Sequence, residues 1–164
     1  MTVRCTQRLL KAIGVPPGEL ADVPASADDW YANLLWFDRR KCLLIMHAST
    51  LFPLFVSNVS AADLRGLGEL VERNAQRALY DEALPPDALG SLDHAVLRLT
   101  RTASRRILGV MNEDAYTCEY AITSAGGLDQ MDVLGLNRRL RRNLHSAGDG
   151  YRTSLDAVHA RLAR

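Results

Sequence analysis

Three cysteines, Cys5, Cys42 and Cys118, are all that this chain of 164 residues contains. They are odd in number, widely spaced and never CxxC, so neither a disulfide framework nor a thiolate metal site is legible. The expected reading is reduced, mostly buried thiols in a cytoplasmic protein. Net charge is only +1, short of the basic excess that a protein coating DNA needs to neutralise phosphates. Long apolar runs are missing too. Cys42–Met46 is the longest, far too short to span a bilayer, and MTVRCTQRLLKAIG at the start lacks the apolar core of a signal peptide. His47, His94, His145 and His159 have no HxxxH or HxH spacing, and GxSxG, P-loop and GxGxxG motifs are absent. No metal and no cofactor is therefore expected, and no membrane partner.

What is present is ordinary globular composition, 48% apolar and 24% charged. The length suits one domain over residues 1–164, able to bury roughly 70% of its unfolded surface without a staple. The most informative stretch is WYANLLWFDRRKCLLIMHASTLF, residues 30–52. Residues 30–37 are apolar on both alternating faces, which predicts a strand covered on both sides. A turn at Asp38-Arg39-Arg40 and a returning strand over Cys42–Met46 complete a hairpin. A third strand over Thr50–Val56 contains Pro53, which makes it either an edge strand or a broken one.

Around this hairpin the punctuation predicts a short strand at 2–5, then a helix capped by Thr6 and ended by Gly14. A loop follows over 15–28. Ser60 and Asp63 form a capping box for a helix to about Glu82, with Leu64, Leu67, Val71, Ala75 and Ala78 buried. A strand lies within Ala95–Thr102. A helix starts near Ser104, with residues 104–122 also readable as strand, and Gly126-Gly127 breaks the chain. The pattern then predicts an amphipathic helix over Asp129–Ala147, with Val133, Leu136, Leu140 and Leu144 inward. A turn at Gly148–Gly150 and a terminal helix over Tyr151–Leu162 follow. Strands cluster early and helices late, so the fold class is α+β, a small antiparallel sheet built around the hairpin and packed against several helices.

Four polar sets stand out. Arg4, Thr6, Arg40, Lys41, Arg105 and Arg106 suit phosphate or carboxylate, because guanidinium forks and hydroxyls at helix starts bind such anions. They read equally as solvated charges at strand ends. Asn33 sits in apolar surroundings and either satisfies nearby backbone or reads a ligand. Asn112, Glu113 and Asp114 offer oxygens to a hard cation, or simply end a helix. Arg138, Arg139, Arg141 and Arg142 form either a nucleic-acid face or the solvated outside of an amphipathic helix; aromatic partners for single strands are missing apart from Tyr151.

The segments RCTQRLL, WYANLLWFDRRKCLLIMHASTLF and SRRILGVMNE resemble a family of small, uncharacterised bacterial proteins classed as a domain of unknown function. The likeness runs along most of the chain and is less close in DVLGLNRRLRRNLHSAGDGY, near Arg142 and Leu144. It implies no activity. It implies that Arg4, Thr6, Asn33, Arg40, Lys41, Thr50, Arg105 and Asn112 belong to one design.

Two functions are compatible with these residues. One is a binding module for a phosphate-bearing or acidic partner: a nucleotide, RNA or an acidic protein face. The other is a small enzyme on a phosphorylated or carboxylated substrate, in a pocket where Lys41, Thr50 and Asn112 converge. A third, a protein partner held by exposed parts of Trp30, Tyr31 and Phe55, stays open.

Overall fold

The expected hairpin is the spine of the molecule. In the computed structural model, which describes residues 1–146 and 150–163, strand β2 covers Trp30–Phe37 and β3 covers Arg40–His47, paired antiparallel over their full length. Asp38 and Arg39 alone make the turn, both at positive φ (49° and 63°), the conformation that matches the twist of two-residue hairpins. The register places Leu34, Leu43 and Ile45 on one face and Leu44, Met46 and Tyr31 on the other.

The sheet has five strands in the order β4–β3–β2–β1–β5. Strand β1 (Thr2–Cys5) pairs parallel with both β2 and β5 (Arg98–Arg101), while β4 (Pro53–Val56) pairs antiparallel with β3. The sheet is thus mixed rather than purely antiparallel, although antiparallel pairing dominates. A parallel partner needs a crossover, and helix α1 (Gln7–Ile13) begins that return; Gly14 ends it in the left-handed conformation at φ 79°.

Helices cover both faces. On one side lie α1, α2 (Ala61–Arg65), α3 (Leu67–Asp81) and α6 (Ser154–Leu162), which pack Leu9, Leu64, Leu70, Val71 and Val158 against Val3, Trp30 and Ile45. On the other lie α4 (Arg105–Ala125) and α5 (Val133–Leu140), which bring Ile107, Met111, Cys118, Ile122 and Leu136 against Tyr31, Leu44 and Met46. This double cover explains why β2 reads as apolar on both faces. Residues 104–122 are helix, opened by the Ser104 hydroxyl accepting from the Ile107 N–H. All three cysteines are buried and unpaired.

Two expectations change. The helix proposed over 129–147 is only α5, capped by Asp132, followed by a short ribbon of β6 (His145–Ser146) and β7 (Tyr151–Arg152). Leu144 is exposed rather than inward. The terminal helix starts at Ser154, because Thr153 and Asp156 form a reciprocal capping box there. The turn expected at 148–150 lies outside the described residues except for Gly150, as does Arg164.

One cross-link bears on the sheet edge. The Asn137 side chain of α5 accepts from the Phe55 N–H and donates to the Phe55 carbonyl, both at 2.8 Å. It binds β4 as a neighbouring strand would.

Leu44, fully buried in the middle of β3, provides a test of this core. Leu44→Ala is expected to lower stability by about 2–5 kcal/mol through lost burial and the cavity left behind. Urea denaturation reads the shift; a cost well under 1 kcal/mol would contradict the packing described.

Candidate functional site

The fold disperses the residues singled out in the sequence. Arg4 is 2% exposed. Its Nε donates to Asp29 at 2.5 Å, and its other nitrogens donate to the carbonyls of Arg101, Val23 and Pro24. Those bonds tie the 15–28 loop to the sheet and occupy the fork that a ligand would need. Arg40 lies at the hairpin tip and binds Asp129 through two bonds of 2.6 and 2.5 Å, with a third to Asn58. Next to it, Asp38 accepts from the Leu128 N–H. Together these fasten the tip to the segment after α4. Arg105 stands exposed at the other end of α4, which at 1.5 Å per residue puts it roughly 30 Å from the Arg40 end. The expected meeting of Arg4, Arg40 and Arg105 in one anion pocket is therefore corrected. Lys41 lies over the exposed Trp36 ring, 5.7 Å from its centre.

The basic face of the late helix divides. Arg138 and Arg139 are exposed. Arg141 is buried, its side chain 3% exposed, and donates to Glu82 at 2.8 Å; Arg142 donates to the same carboxylate at 2.8 and 3.0 Å. Arg141 also lies 5.1 Å over the Phe52 ring. Burial raises the Glu82 carboxyl, but the two guanidinium groups outweigh it and hold the group below its ordinary range. Of the four arginines only Arg141 is thus internal, while Arg142 is exposed and paired. The apolar contact patch is corrected as well, since Trp30, Tyr31 and Phe55 are all at most 2% exposed.

Three predicted residues do come together. Thr6, Asn33 and Asn112 line a groove between β2 and α4 with Trp36, Phe37 and Tyr116. Thr6 occupies the N-cap position of α1, yet its hydroxyl donates to Asn33 Oδ1 at 3.0 Å instead of capping the helix. Neither Lys41 nor Thr50 lines this groove, so the pocket expected from Lys41, Thr50 and Asn112 does not form.

A second cleft, of about 300 Å³, is the more charged. It lies among the loop after β3 (Ser49, Thr50, Leu51), the start of α4 (Arg106), the β6–β7 ribbon (His145, Ser146, Arg152) and α6 (Thr153, Ser154, Arg161). Three guanidinium groups and an imidazole border it, and no carboxylate does among the described residues. Arg106 donates to the Ser146 carbonyl, and Arg161 pairs with Asp28 at 2.6 Å and donates to the Ser49 hydroxyl. The pairings hold these forks in place.

Two histidines sit at this cleft. His145 forms part of the wall, is 4% exposed, and neither of its ring nitrogens has a hydrogen-bond partner. His47 lies beneath Thr50, its Nδ1 2.9 Å from the Thr50 hydroxyl, which also accepts from the Phe52 N–H. The hydroxyl and Nδ1 share one proton in that contact, and His47 Nε2 faces Asp28 at 3.9 Å without a hydrogen-bond partner. Burial pushes the His47 pKa down to about 4, helped by the Arg161 charge and opposed by Asp28 and Asp29. The ring is neutral at ordinary pH.

Of the lining residues, Thr50 and Arg106 are legible in the sequence as polar candidates, and Arg152 and Arg161 as members of an arginine-rich stretch over residues 136–164; no local signal marks His145 or gathers these arginines at a cleft. The Thr153–Asp156 capping box was the available signal that a helix starts beside them. No helix among the described residues is long and apolar enough to cross a membrane, and no group of three or more metal-ligating side chains occurs among them.

No curated protein and no solved structure matches the chain. A family model does, over residues 2–157, nearly the whole length and all the elements that build the cleft except the second half of α6, which carries Arg161. The chain belongs to that family, described as a domain of unknown function (DUF6933).

Proposed function

We propose that the chain is a cytoplasmic binding module for a phosphate-bearing ligand, held in the cleft of Thr50, Arg106, His145, Arg152 and Arg161. The observation that carries this reading is a concave site bordered by three arginines and a buried, unpartnered imidazole, with no carboxylate among its described lining residues. Such a wall presents donors and positive charge to whatever enters, and guanidinium forks match the oxygens of phosphate. Three buried thiols without a disulfide support a reducing compartment.

Calorimetric titration with inorganic phosphate tests it. The double variant Arg106→Gln/Arg152→Gln removes two charge-assisted contacts, each worth about 1.5–3 kcal/mol, and is expected to weaken binding by at least about a hundredfold. Both side chains are at the surface or half-buried, so the melting curve should stay native. Native melting with undiminished phosphate affinity would remove the cleft from consideration. Mass spectrometry of small molecules that co-purify with the protein then identifies the natural ligand.

An enzyme acting on a phosphorylated substrate is the second reading. It is favoured by the row of hydroxyl, imidazole and carboxylate from Thr50 through His47 to Asp28, which ends at the cleft. A base whose pKa is about 4 is weak for abstracting a hydroxyl proton near neutrality, so binding is the better-supported function.

A further inference from the structure

Independently of the charged cleft, we propose that the protein holds an amphiphilic anion, a single apolar chain of medium length with a carboxylate or phosphate head, in a pocket of about 490 Å³ at the carboxyl ends of β1 and β5. The topology makes room there. The two strands are parallel neighbours. After Cys5 the chain turns into α1, which packs on the sheet face of Val3 and Trp30. After Arg101 it turns into α4, which packs on the face of Tyr31 and Leu44. Adjacent parallel strands whose helices depart to opposite faces leave a crevice beyond their carboxyl ends, where open sheets commonly take their ligands. Cys5 and Arg101, the last residues of the two strands, both line this pocket.

The walls are set before any ligand arrives. Gly14 turns the chain at the end of α1, and the Val15 N–H bonds back to the Leu10 carbonyl at 3.3 Å. The Ala21 N–H donates to the Leu99 carbonyl at 2.8 Å, which seats the following loop on the outer edge of β5. The buried Arg4 fork ties the same loop to the Arg101 carbonyl. These bonds gather Leu10, Val15, Pro17 and Leu20 around one space. Leu10 is buried, Val15 and Leu20 are half-buried and Pro17 is exposed. An apolar chain laid over them removes its own surface and theirs from water.

Charge selects the other end of the ligand. Lys11 and Arg101 also line the pocket, and no carboxylate does among the described residues. Neither side chain has an ion pair or a hydrogen bond among the described residues. The Gln7 amide and the Thr102 hydroxyl add uncharged donors. An anionic head gains from both cations, a neutral head gains little, and a cationic head is repelled.

Calorimetry with butanoate, octanoate, octyl phosphate and octylamine tests this, each kept below its micelle-forming concentration. A buried methylene is worth about fourfold in affinity, so octanoate is expected to bind at least about tenfold more tightly than butanoate. Octanoate and octyl phosphate should both bind more tightly than octylamine, and the tighter of the two identifies the head group. Lys11→Gln/Arg101→Gln changes two exposed side chains. It should keep a native melting curve and weaken octanoate binding about tenfold, the scale of two exposed charge contacts. In the native chain the methyl resonances of Leu10, Val15 and Leu20 should shift on adding octanoate. The proposal is overturned by absent octanoate binding, by equal affinity for octylamine, by undiminished affinity in a natively folded double variant, or by binding that leaves those methyl groups unmoved. Should the double variant not fold, the octylamine comparison and the methyl resonances of the native chain decide.

Discussion

Glu82→Ala is expected to destabilise the protein by about 3–5 kcal/mol, the characteristic cost of leaving a buried charge without its partner. The Glu82 side chain is only 5% exposed and serves two guanidinium groups. Arg142 is half-exposed and can turn to water when the carboxylate goes. Arg141 cannot. It is walled in beneath Phe52, and its Nε already lacks a hydrogen-bond partner. Burial, helped by the neighbouring Arg142 charge, holds its pKa below the ordinary arginine value, and the Glu82 carboxylate, with a smaller part from Asp81, opposes that trend. Urea denaturation should therefore show a large fall in midpoint at unchanged slope. Arg142→Ala serves as the control and should cost under about 1 kcal/mol, as exposed ion pairs do. Equal losses from the two variants would mean that Arg141 finds water after all.

Asp114→Asn should do the opposite and stabilise the protein above neutral pH. Asp114 is 1% exposed on the inner side of α4; Oδ1 accepts from Asn143 at 3.2 Å and Oδ2 has no partner. Burial raises its pKa from 3.8 to about 7, against the Asn143 hydrogen bond and with help from the Glu113 charge. A carboxyl raised in this way contributes no penalty below the unfolded value, where both states are protonated. As pH climbs from about 4 to about 7, the unfolded chain releases the proton first and stability declines. The shift of about three units corresponds to something near 4 kcal/mol, an upper figure for the gain from the amide. Denaturation midpoints at pH 8 and pH 4 read the sign: the Asn variant should lead clearly at pH 8 and hold little advantage at pH 4. A constant offset between the two would mean that packing, not ionisation, separates the residues.

Much of the scaffold is legible in the chain because local chemistry dictates it. Apolar residues on both faces of 30–37 require cover on both sides, and two helical layers supply it. Pro53 lacks a ladder donor and lies in an edge strand. The Ser60–Asp63 box starts α2 where expected, although Gly66 divides the helix after Arg65. The misreadings share a cause. Arg141 looks like part of a solvated stripe because its acceptor, Glu82, is about sixty residues earlier on another helix, and helical periodicity carries no trace of it. Arg4 looks like a ligand fork because nothing near it in sequence announces Asp29. Strand β1 has only four residues, too few to declare that both its neighbours run parallel. The cleft is hidden for the same reason: Thr50 and Arg161 are adjacent only once α6 has folded back across the sheet.

The grip of Asn137 on Phe55 bears on how copies of the protein avoid one another. In a strand at the border of a sheet, alternate residues offer their amides outward, where a second molecule can dock and extend the ladder. In β4 those outward positions fall on Pro53, which has no N–H, and on Phe55, whose donor and acceptor are both occupied by an amide from within the same chain. That border is closed to growth by strand addition, and the protein can accumulate in a crowded cell without seeding fibrils there.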